Sequence, residues 1–425
     1  MAAAPPDPDK QKKALSLFVQ HEKYLAGQPS GKRLMYKSAD FSQLKFVAIN
    51  LRDSVLSGSN FSEAKFTDAN FSTSDLFCVN AADADFTGSS FDRADLRGAN
   101  LMRAQLIRTK LTKADLRAGQ IVQWRGGEKI LVNRASQLSE ARLDNASAAE
   151  ANFSGAEMSR ATLAGADFSR AEMYAVNLTG ANLSDADFSG AKLKNAVLNG
   201  AVVKGADLSK ADLRGAVLRN VDLSKATTTQ TDFTGAVYRT GAVELPRNIS
   251  ELISAHSDWI TSNGTSGIRA IFDDLDMQGI DLSASDLSGA SFRNANMSRA
   301  LLAEAWLTLC DFSGAKLEGA VLDLSNLAGS KLLRADLTNA KLRGAKLDAV
   351  ELRSADGEKT GRTWATSLEG AILRGADVRG ADLRGVNLSG ANVDGANLSS
   401  ADLRQANTTD CNIATAILIG ARLLH

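Results

Sequence analysis

The sequence predicts an all-β protein: a four-sided parallel β-helix with short capping α-helices. The first observation is a period of five, because Leu or Phe occupies 52 of 65 positions that recur at every fifth residue. The second is that Ala usually stands two residues before this large apolar residue, which we call the centre. The third is that all five prolines lie outside the repeated runs. Proline is excluded where every backbone N–H joins a ladder of hydrogen bonds.

The five-residue units fill most of the chain. Their centres span residues 41–116, 138–238, 277–352 and 368–423. A period of five matches neither a helical turn nor the alternation of a long strand, but it suits a short extended segment followed by a turn. The centre and the Ala then face inward, and the Asp, Asn, Ser, Arg and Gly residues between them form solvated turns.

The spacing of phenylalanines indicates four units in each coil. Six pairs of Phe centres are separated by four units, against four pairs separated by five units and three pairs separated by three. Four units can close one square coil, so like side chains stack from one coil to the next. We expect successive coils to hydrogen-bond as parallel strands.

The units also carry a recognisable motif. Residues 94–98 (Ala-Asp-Leu-Arg-Gly) and 99–103 (Ala-Asn-Leu-Met-Arg) show the pattern A(D/N)LxG. This pattern resembles the pentapeptide-repeat family, and the resemblance covers about three-quarters of the chain. It implies a right-handed quadrilateral parallel β-helix. It implies little about function, because the matching positions are the structural ones.

Two segments outside the repeats resemble each other and indicate an internal duplication. Residues 21–25 (His-Glu-Lys-Tyr-Leu) match 256–260 (His-Ser-Asp-Trp-Ile), and residues 31–33 (Gly-Lys-Arg) match 267–269 (Gly-Ile-Arg). Each pair precedes a run of units.

The duplication sets the predicted domains. Residues 1–13 are rich in Ala, Pro, Asp and Lys and are expected to form a disordered tail. We predict a first module over residues 14–240 and a second module over residues 241–425. Each module consists of a capping helix and a β-helix.

The leading segment of each module is expected to cover the open end of its β-helix. Apolar residues recur in both segments at the spacing of one helical face. A β-helix without a cap exposes its core and the free edges of its strands. The aromatic neighbours of the two histidines favour a seal over a reactive site. The predicted cap residues are His21, Tyr24, Arg33, His256, Trp259 and Arg269.

Both modules interrupt their repeats at a Gly-Glu-Lys sequence, which occupies residues 127–129 and 357–359. These breaks predict protruding loops over residues 119–135 and 355–365. Trp124 lies in the first loop and Trp364 in the second. Tryptophan beside charged residues is typical of binding surfaces. The alternative is that each Trp folds back over its coil.

The composition excludes most site chemistry. The chain has 3 His and 3 Cys, which leaves little room for a His/Cys metal site or a His-based catalytic triad. We expect no enzyme activity, no cofactor and no bound metal. The cysteines Cys78, Cys310 and Cys411 are widely spaced, which favours a reducing, cytoplasmic location. No apolar run is long enough to span a membrane, so no membrane partner is expected.

The C-terminal end carries apolar residues at positions that are usually polar and outward: Ile417, Ile419 and Leu424. The sequence predicts no helix after them. An uncovered coil favours pairing of two C-termini as a homodimer. The alternatives are that the end of the first module, or a distinct partner, covers this coil.

Two hypotheses for function remain. The first is a non-catalytic scaffold that presents its faces and loops to an unknown protein partner. The second follows from the resemblance, because some pentapeptide-repeat proteins bind or shield DNA gyrase or topoisomerase by mimicking DNA. The chain has 49 Lys+Arg and 49 Asp+Glu. This balance disfavours both an acidic DNA mimic and a nucleic-acid binder, which needs a basic excess.

Overall fold

The computed structural model describes residues 7–125, 128–237, 247–261, 264–353 and 359–423. The chain divides into two compact units between Tyr238 and Arg239. Each unit contains a helix, a stack of four-sided coils and an antiparallel hairpin.

Parallel bridges join equivalent residues four units apart, which makes four units one coil. Asp40 pairs with Asn60, Asn60 with Asn80, and Asn80 with Asn100. Most sides are too short to count as strands; the exceptions are β1 (Lys45–Val47) and β2 (Lys65–Thr67), which pair in parallel. Each short extended segment is followed by a turn whose last residue has a positive φ. Gly adopts that conformation without a steric penalty, which explains why it is the commonest residue at this position.

The core of each unit is a narrow column of centres and alanines. Leu96 and Ala94 are buried, as are their counterparts along both stacks. Phenylalanines on the same side of neighbouring coils stack face to face: the Phe71 and Phe91 ring centroids are 5.1 Å apart, and those of Phe292 and Phe312 are 4.7 Å apart.

The second stack begins one unit earlier than the sequence predicted. Phe272 is fully buried and stacks on Phe292 at 4.9 Å, so it is a centre that precedes Met277. The run also ends earlier, because Leu352 lies in a hairpin strand and not in a coil.

Polar residues in the inward small position donate hydrogen bonds to the preceding coil. Ser74 Oγ donates to the Leu51 carbonyl at 2.8 Å, and Ser89 Oγ donates to the Phe66 carbonyl at 2.6 Å. Cys310 occupies the same position, where its Sγ lies 3.0 Å from the Leu287 carbonyl. Burial raises the pKa of the Cys310 thiol, so it is a poor nucleophile.

Helix α1 (Pro8–Leu25) begins within the segment that the sequence assigned to a disordered tail. The Asp7 carboxylate accepts a hydrogen bond from the Asp9 N–H at 3.0 Å, and Pro8 suits the first turn. The predicted tail of residues 1–13 is therefore wrong for residues 8–13. Helix α2 (Arg247–Thr261) leads the second unit.

Near the end of each stack one side is replaced by a short 3₁₀ helix, at Leu223–Lys225 in the first unit and at Ile413–Thr415 in the second. Bridges to the preceding coil resume after each one, at Thr227 and at Ile417.

The two predicted loops are antiparallel β-hairpins, which we call arm 1 and arm 2. Arm 1 pairs β3 (Gly119–Arg125) with β4 (Glu128–Arg134). Arm 2 pairs β5 (Val350–Arg353) with β6 (Lys359–Trp364), with an irregular register between Glu351 and Arg353. Arm 2 thus begins at residue 350 and not at 355, because Val350 already pairs with Trp364.

Candidate interaction sites

The first candidate region is the N-terminal cap. Here α1 supplies the first coil with the hydrogen-bond partners that a preceding coil would otherwise supply. Lys10 Nζ donates to the Ser42 carbonyl at 2.8 Å and to Asp40 Oδ2 at 2.9 Å. The Gln11 side chain donates to the Lys45 carbonyl at 2.6 Å and accepts from the Lys45 N–H at 3.1 Å. A side-chain amide has the donor and acceptor of a peptide group, so Gln11 replaces a strand neighbour. This contact protects the edge of the first coil.

His21 lies buried between α1 and the first coil. Its Nδ1 accepts from the Leu34 N–H at 3.0 Å, and its Nε2 lies 2.8 Å from the Arg52 carbonyl. An acceptor at Nδ1 and a carbonyl at Nε2 fix the neutral ring with its proton on Nε2. Desolvation lowers the pKa of His21.

The second unit repeats this arrangement with one difference. His256 Nδ1 accepts from the Ala270 N–H at 3.0 Å. Its Nε2 is buried near the Leu287 and Ser288 backbone and forms no well-shaped hydrogen bond among the described residues. Desolvation again lowers the pKa of this histidine.

The remaining cap residues also occupy equivalent places. Tyr24 stacks on His21 with ring centroids 5.9 Å apart, and Trp259 stacks on His256 at 5.4 Å. Arg33 Nε donates to the Asp53 carbonyl at 2.7 Å. In the second unit Arg269 donates to the Gly289 carbonyl, which lies at the same distance along the chain. These contacts join the leading segment of each unit to its first coils, and the role of the six residues as a cap stays a prediction.

The glycine two residues before each cap arginine is required by a close approach to the helix. A Cβ on Gly31 would lie 2.1 Å from the Tyr24 backbone nitrogen. A Cβ on Gly267 would lie 2.3 Å from the Ala255 carbonyl oxygen. Neither backbone can move away, so no larger residue fits.

The base of arm 2 holds Trp364, whose side chain is 44% exposed. Lys331 Nζ lies 5.5 Å from the centroid of its ring, within range of a cation–π contact. A Cβ on Gly329 would lie 2.9 Å from side-chain atoms of both Leu309 and Val350, and 3.4 Å from Trp364. Trp364 therefore packs partly against its own solenoid and leaves the rest of the ring to solvent.

Arm 1 places Trp124 in β3, where it pairs with Lys129, and its side chain lies outside the described residues. The most exposed apolar side chain described on this arm is Leu131, at 70%. Leu131 is not among the interaction residues that the sequence predicted. The signal was present, since residues 128–134 are rich in β-branched and aliphatic residues and contain neither Gly nor Pro.

The C-terminal coil of the second unit is apolar and open. Ile417 and Ile419 are 45% and 76% exposed, and the last centre, Leu423, is also exposed. Leu424 lies outside the described residues. In the first unit Thr227 and Thr229 stand at the positions that correspond to Ile417 and Ile419, counted from the 3₁₀ helix. The apolar surface is therefore a property of the second unit.

Many outward charges of the coils form ion pairs. Arg97 Nη2 lies 2.6 Å from Asp95 Oδ2, and Arg404 makes the same contact with Asp402. The hydrogen bond from Arg404 holds the pKa of Asp402 at about 2. Opposite charges within one unit give faces that are locally neutral. The same pairing within a unit recurs at Arg117, Arg214, Arg379 and Arg384.

The part of the chain that the structure describes gives little support for a metal site, a ligand pocket or a membrane-spanning helix. There, no group of three or more His, Cys, Asp or Glu residues could hold a metal ion. An open groove of about 460 Å³ is lined by Asp273, Arg293, Asn294 and Arg334, but Arg293 and Asp273 already pair with each other. None of the described helices is both long and apolar enough to cross a membrane. Cys78, Cys310 and Cys411 are free thiols.

The repeat itself decides the family. The family model for pentapeptide repeats matches residues 37–76, 82–117, 136–237, 276–356 and 365–425. The chain belongs to the pentapeptide-repeat family. The stacked coils of this pentapeptide-repeat protein therefore form a right-handed quadrilateral β-helix in each unit, as the sequence predicted.

Several solved pentapeptide-repeat structures are similar to the chain. HetL, a protein involved in heterocyst differentiation regulation from the cyanobacterium Nostoc sp. strain PCC 7120, is 23% identical, with 76% of this chain and 90% of HetL covered and a TM-score of 0.26. QnrB1, a plasmid-mediated fluoroquinolone resistance protein, is 19% identical, with 56% and 98% covered and a TM-score of 0.27. Rfr23 from the cyanobacterium Cyanothece 51142 is 24% identical, with 34% and 90% covered and a TM-score of 0.14.

Identities and TM-scores this low give no information about the partner of this pentapeptide-repeat protein. Comparison of the sequence with curated proteins gives no match.

Proposed function

We propose that the chain is a non-catalytic cytoplasmic scaffold that presents two hairpin arms and an apolar C-terminal coil to protein partners. The observation that supports this most directly is how the arms interrupt the solenoid. Asn100 pairs with Gln137, and Lys331 pairs with Ser367; these bridges and the three that follow each of them span an arm, whereas the remaining coil bridges join residues four units apart. The chain leaves the coil, forms a hairpin and resumes in register, so the arms add surface and do not build the core.

The exposed side chains on the arms support a binding role. Leu131 on arm 1 and Trp364 on arm 2 are large apolar groups open to solvent. Tryptophan is enriched among the residues that contribute most of the energy of typical protein interfaces, and burying a leucine side chain removes apolar area from water. The paired charges on the coil faces disfavour the alternative of a DNA mimic, which needs an unbalanced acidic face.

A photo-crosslinking experiment tests the proposal. Benzoylphenylalanine is placed at position 131, at position 364, or at the control position Arg374, which is exposed on a plain coil. We expect one discrete crosslinked partner from position 131 or 364 in native cells and none from 374. Equal, diffuse crosslinking from all three positions would contradict the proposal.

Precise removal of an arm provides the matched loss-of-function variant. Deleting residues 119–135 joins Ala118 to Ser136 and restores the four-unit spacing between Asn100 and its partner. Deleting residues 350–365 does the same in the second unit. We expect each deletion to keep the circular dichroism of the coils and to abolish the crosslink of the removed arm.

The gyrase alternative is tested with the same proteins. A scaffold has no effect on DNA supercoiling by gyrase at micromolar concentration, whereas a DNA mimic inhibits or protects the enzyme. Inhibition that survives both arm deletions would replace the scaffold proposal with the alternative.

A further inference from the structure

Arm 1 has an unpaired strand edge. Its sheet contains only β3 and β4 among the described strands, so the outer edge of β4 pairs with no other strand there. A two-stranded hairpin is only marginally stable in water by itself. A long strand edge without Pro or a bulge can pair with a further strand. The register of arm 1 is continuous over seven pairs, from Gly119 with Arg134 to Arg125 with Glu128.

The register also shows which backbone groups of β4 face outward. Arg125 and Glu128 close the hairpin across a two-residue connection, so they form a hydrogen-bonded pair, and such pairs alternate along the ladder. The N–H and C=O groups of positions 128, 130, 132 and 134 therefore bond to β3. Those of Lys129, Leu131 and Asn133 point to the free edge.

We propose that β4 pairs antiparallel with β4 of a second copy of this chain, about a two-fold axis at Leu131. Leu131 then lies opposite its own copy, and Lys129 lies opposite Asn133, so that all three outward positions are hydrogen-bonded. The same register sets Glu128 opposite Arg134, twice by symmetry. Opposite charges directly across two strands stabilise the pair, and like charges destabilise it.

This charge complementarity selects β4 over the other edges. In β3, antiparallel self-pairing about Val122 sets Gln120 opposite Trp124 and creates no ion pair. In arm 2, β5 is short and irregular, and β6 contains Gly361 with a φ of +69°, which distorts its edge. Arm 1 alone combines a regular edge with a self-complementary sequence in the part of the chain that the structure describes.

The proposal goes beyond the scaffold function, because it identifies a second copy as the occupant of arm 1 and holds with or without an outside partner. It is also separate from pairing of the C-terminal coils. The test therefore uses full-length protein with Ile419→Glu, which adds a charge to the apolar C-terminal surface and weakens that interface.

The experiment is a charge swap read by sedimentation. Glu128→Arg and Arg134→Glu are made singly and together in the Ile419→Glu protein. Each single variant places two pairs of like charges across the axis, so we expect dimer affinity to fall about tenfold or more. The double variant restores opposite charges in reversed order, so its affinity should return to within about threefold of the Ile419→Glu protein.

Two controls separate pairing from folding. Arg362→Glu reverses a charge on arm 2 and should leave the association unchanged. Circular dichroism should be the same for all variants, because arm 1 lies outside the coils. The proposal is overturned if the Ile419→Glu protein is monomeric at high micromolar concentration, if neither single reversal weakens association, or if the double variant is as weak as the single ones.

Discussion

Arm 1 and arm 2 each interrupt the solenoid of their own unit, yet they differ in regularity and in anchoring. Arm 1 is a hairpin of seven consecutive pairs, whereas arm 2 has an irregular register and a glycine within β6. At the base of arm 1, a Cβ on Gly98 would lie 2.8 Å from Cys78 Sγ and 3.3 Å from both the Arg134 carbonyl oxygen and Gly119 Cα. At the base of arm 2 the equivalent Gly329 faces side chains only. The base of arm 1 thus contacts backbone as well as a side chain, and the arm offers a regular edge, while the base of arm 2 contacts only side chains, among them Trp364.

The second difference is the length of chain between the cap of each unit and its arm. The chain from Leu34 to Gly98 is one five-residue unit longer than the chain from Ala270 to Gly329. One unit is one side of a coil, so each arm projects from a different side relative to the cap of its own unit. The two units therefore contain the same parts but direct their arms from different sides.

The prediction with the largest expected effect tests whether the same positions of the five-residue unit point inward in both units. Leu96→Asp in the first unit and Leu337→Asp in the second each place a charge in the apolar column. Burying an unpaired carboxylate should lower the free energy of unfolding by about 4 kcal/mol or more. The outward control Thr338→Ala should change it by about 0.5 kcal/mol or less. Similar losses for inward and outward changes in urea melts would show that the register is wrong.

The second prediction contrasts the terminal coils. If the apolar coil of the second unit pairs with its own copy, Ile419→Glu combined with Leu424→Glu should weaken dimerisation about a hundredfold in a Glu128→Arg background, which weakens pairing through arm 1, because two charges enter an apolar contact. Thr229→Glu at the matched position of the first unit should have no effect. Light scattering gives the mass and circular dichroism confirms the fold. A wild-type protein that is monomeric at high micromolar concentration would refute the C-terminal dimer.

The third prediction measures how the arms are anchored. Gly98→Ala should cost about 2–3 kcal/mol, since both its positive φ and fixed backbone atoms oppose a Cβ. Gly329→Ala should cost less, because the Leu309 and Val350 side chains can shift. Gly390→Ala is the control: its φ is +64° and a Cβ there would meet nothing within 4 Å. Thermal melts that rank the three variants in another order would contradict this account.

The smallest effect concerns the two cap histidines. The pKa of each is lowered by burial from its usual 6.5, so protonation favours the unfolded chain. The stability they contribute is complete above pH 6.5 and is lost as the pH falls below it. At neutral pH His21→Gln should cost about 1–2 kcal/mol and His256→Gln about 1 kcal/mol, because only His21 has hydrogen bonds at both nitrogens.

The pH dependence of the free energy of unfolding tests the contribution of the two histidines. Stability measured between pH 7 and 5 should fall less steeply in each variant than in the wild type. An identical slope would show that the rings do not titrate on unfolding in this range.

The period of five predicted the coils well because every inward position obeys one steric rule. The centre at Phe272 was missed because this residue precedes the first clear five-residue unit. Its stacking on Phe292 in the next coil identifies it as a centre. The helix start at Pro8 was missed because Lys10 and Gln11 look like solvated polar residues until they bond to Ser42 and Lys45. The hairpins were predicted only as loops, since the alternation of β3 and β4 is short and lies outside the period.

The bridges that skip an arm have a consequence for folding. Almost every ladder contact closes a loop of a single coil, so contact order is low and order can spread from coil to neighbouring coil. At arm 1 the contact between Asn100 and Gln137 must close a loop that includes the whole hairpin, nearly twice as long. Loop-closure entropy grows only logarithmically with length, so this detour costs about 0.5 kcal/mol. A hairpin arm can therefore be inserted at any turn of a solenoid with little effect on its folding rate. The hairpin itself can form after the coils on either side have closed.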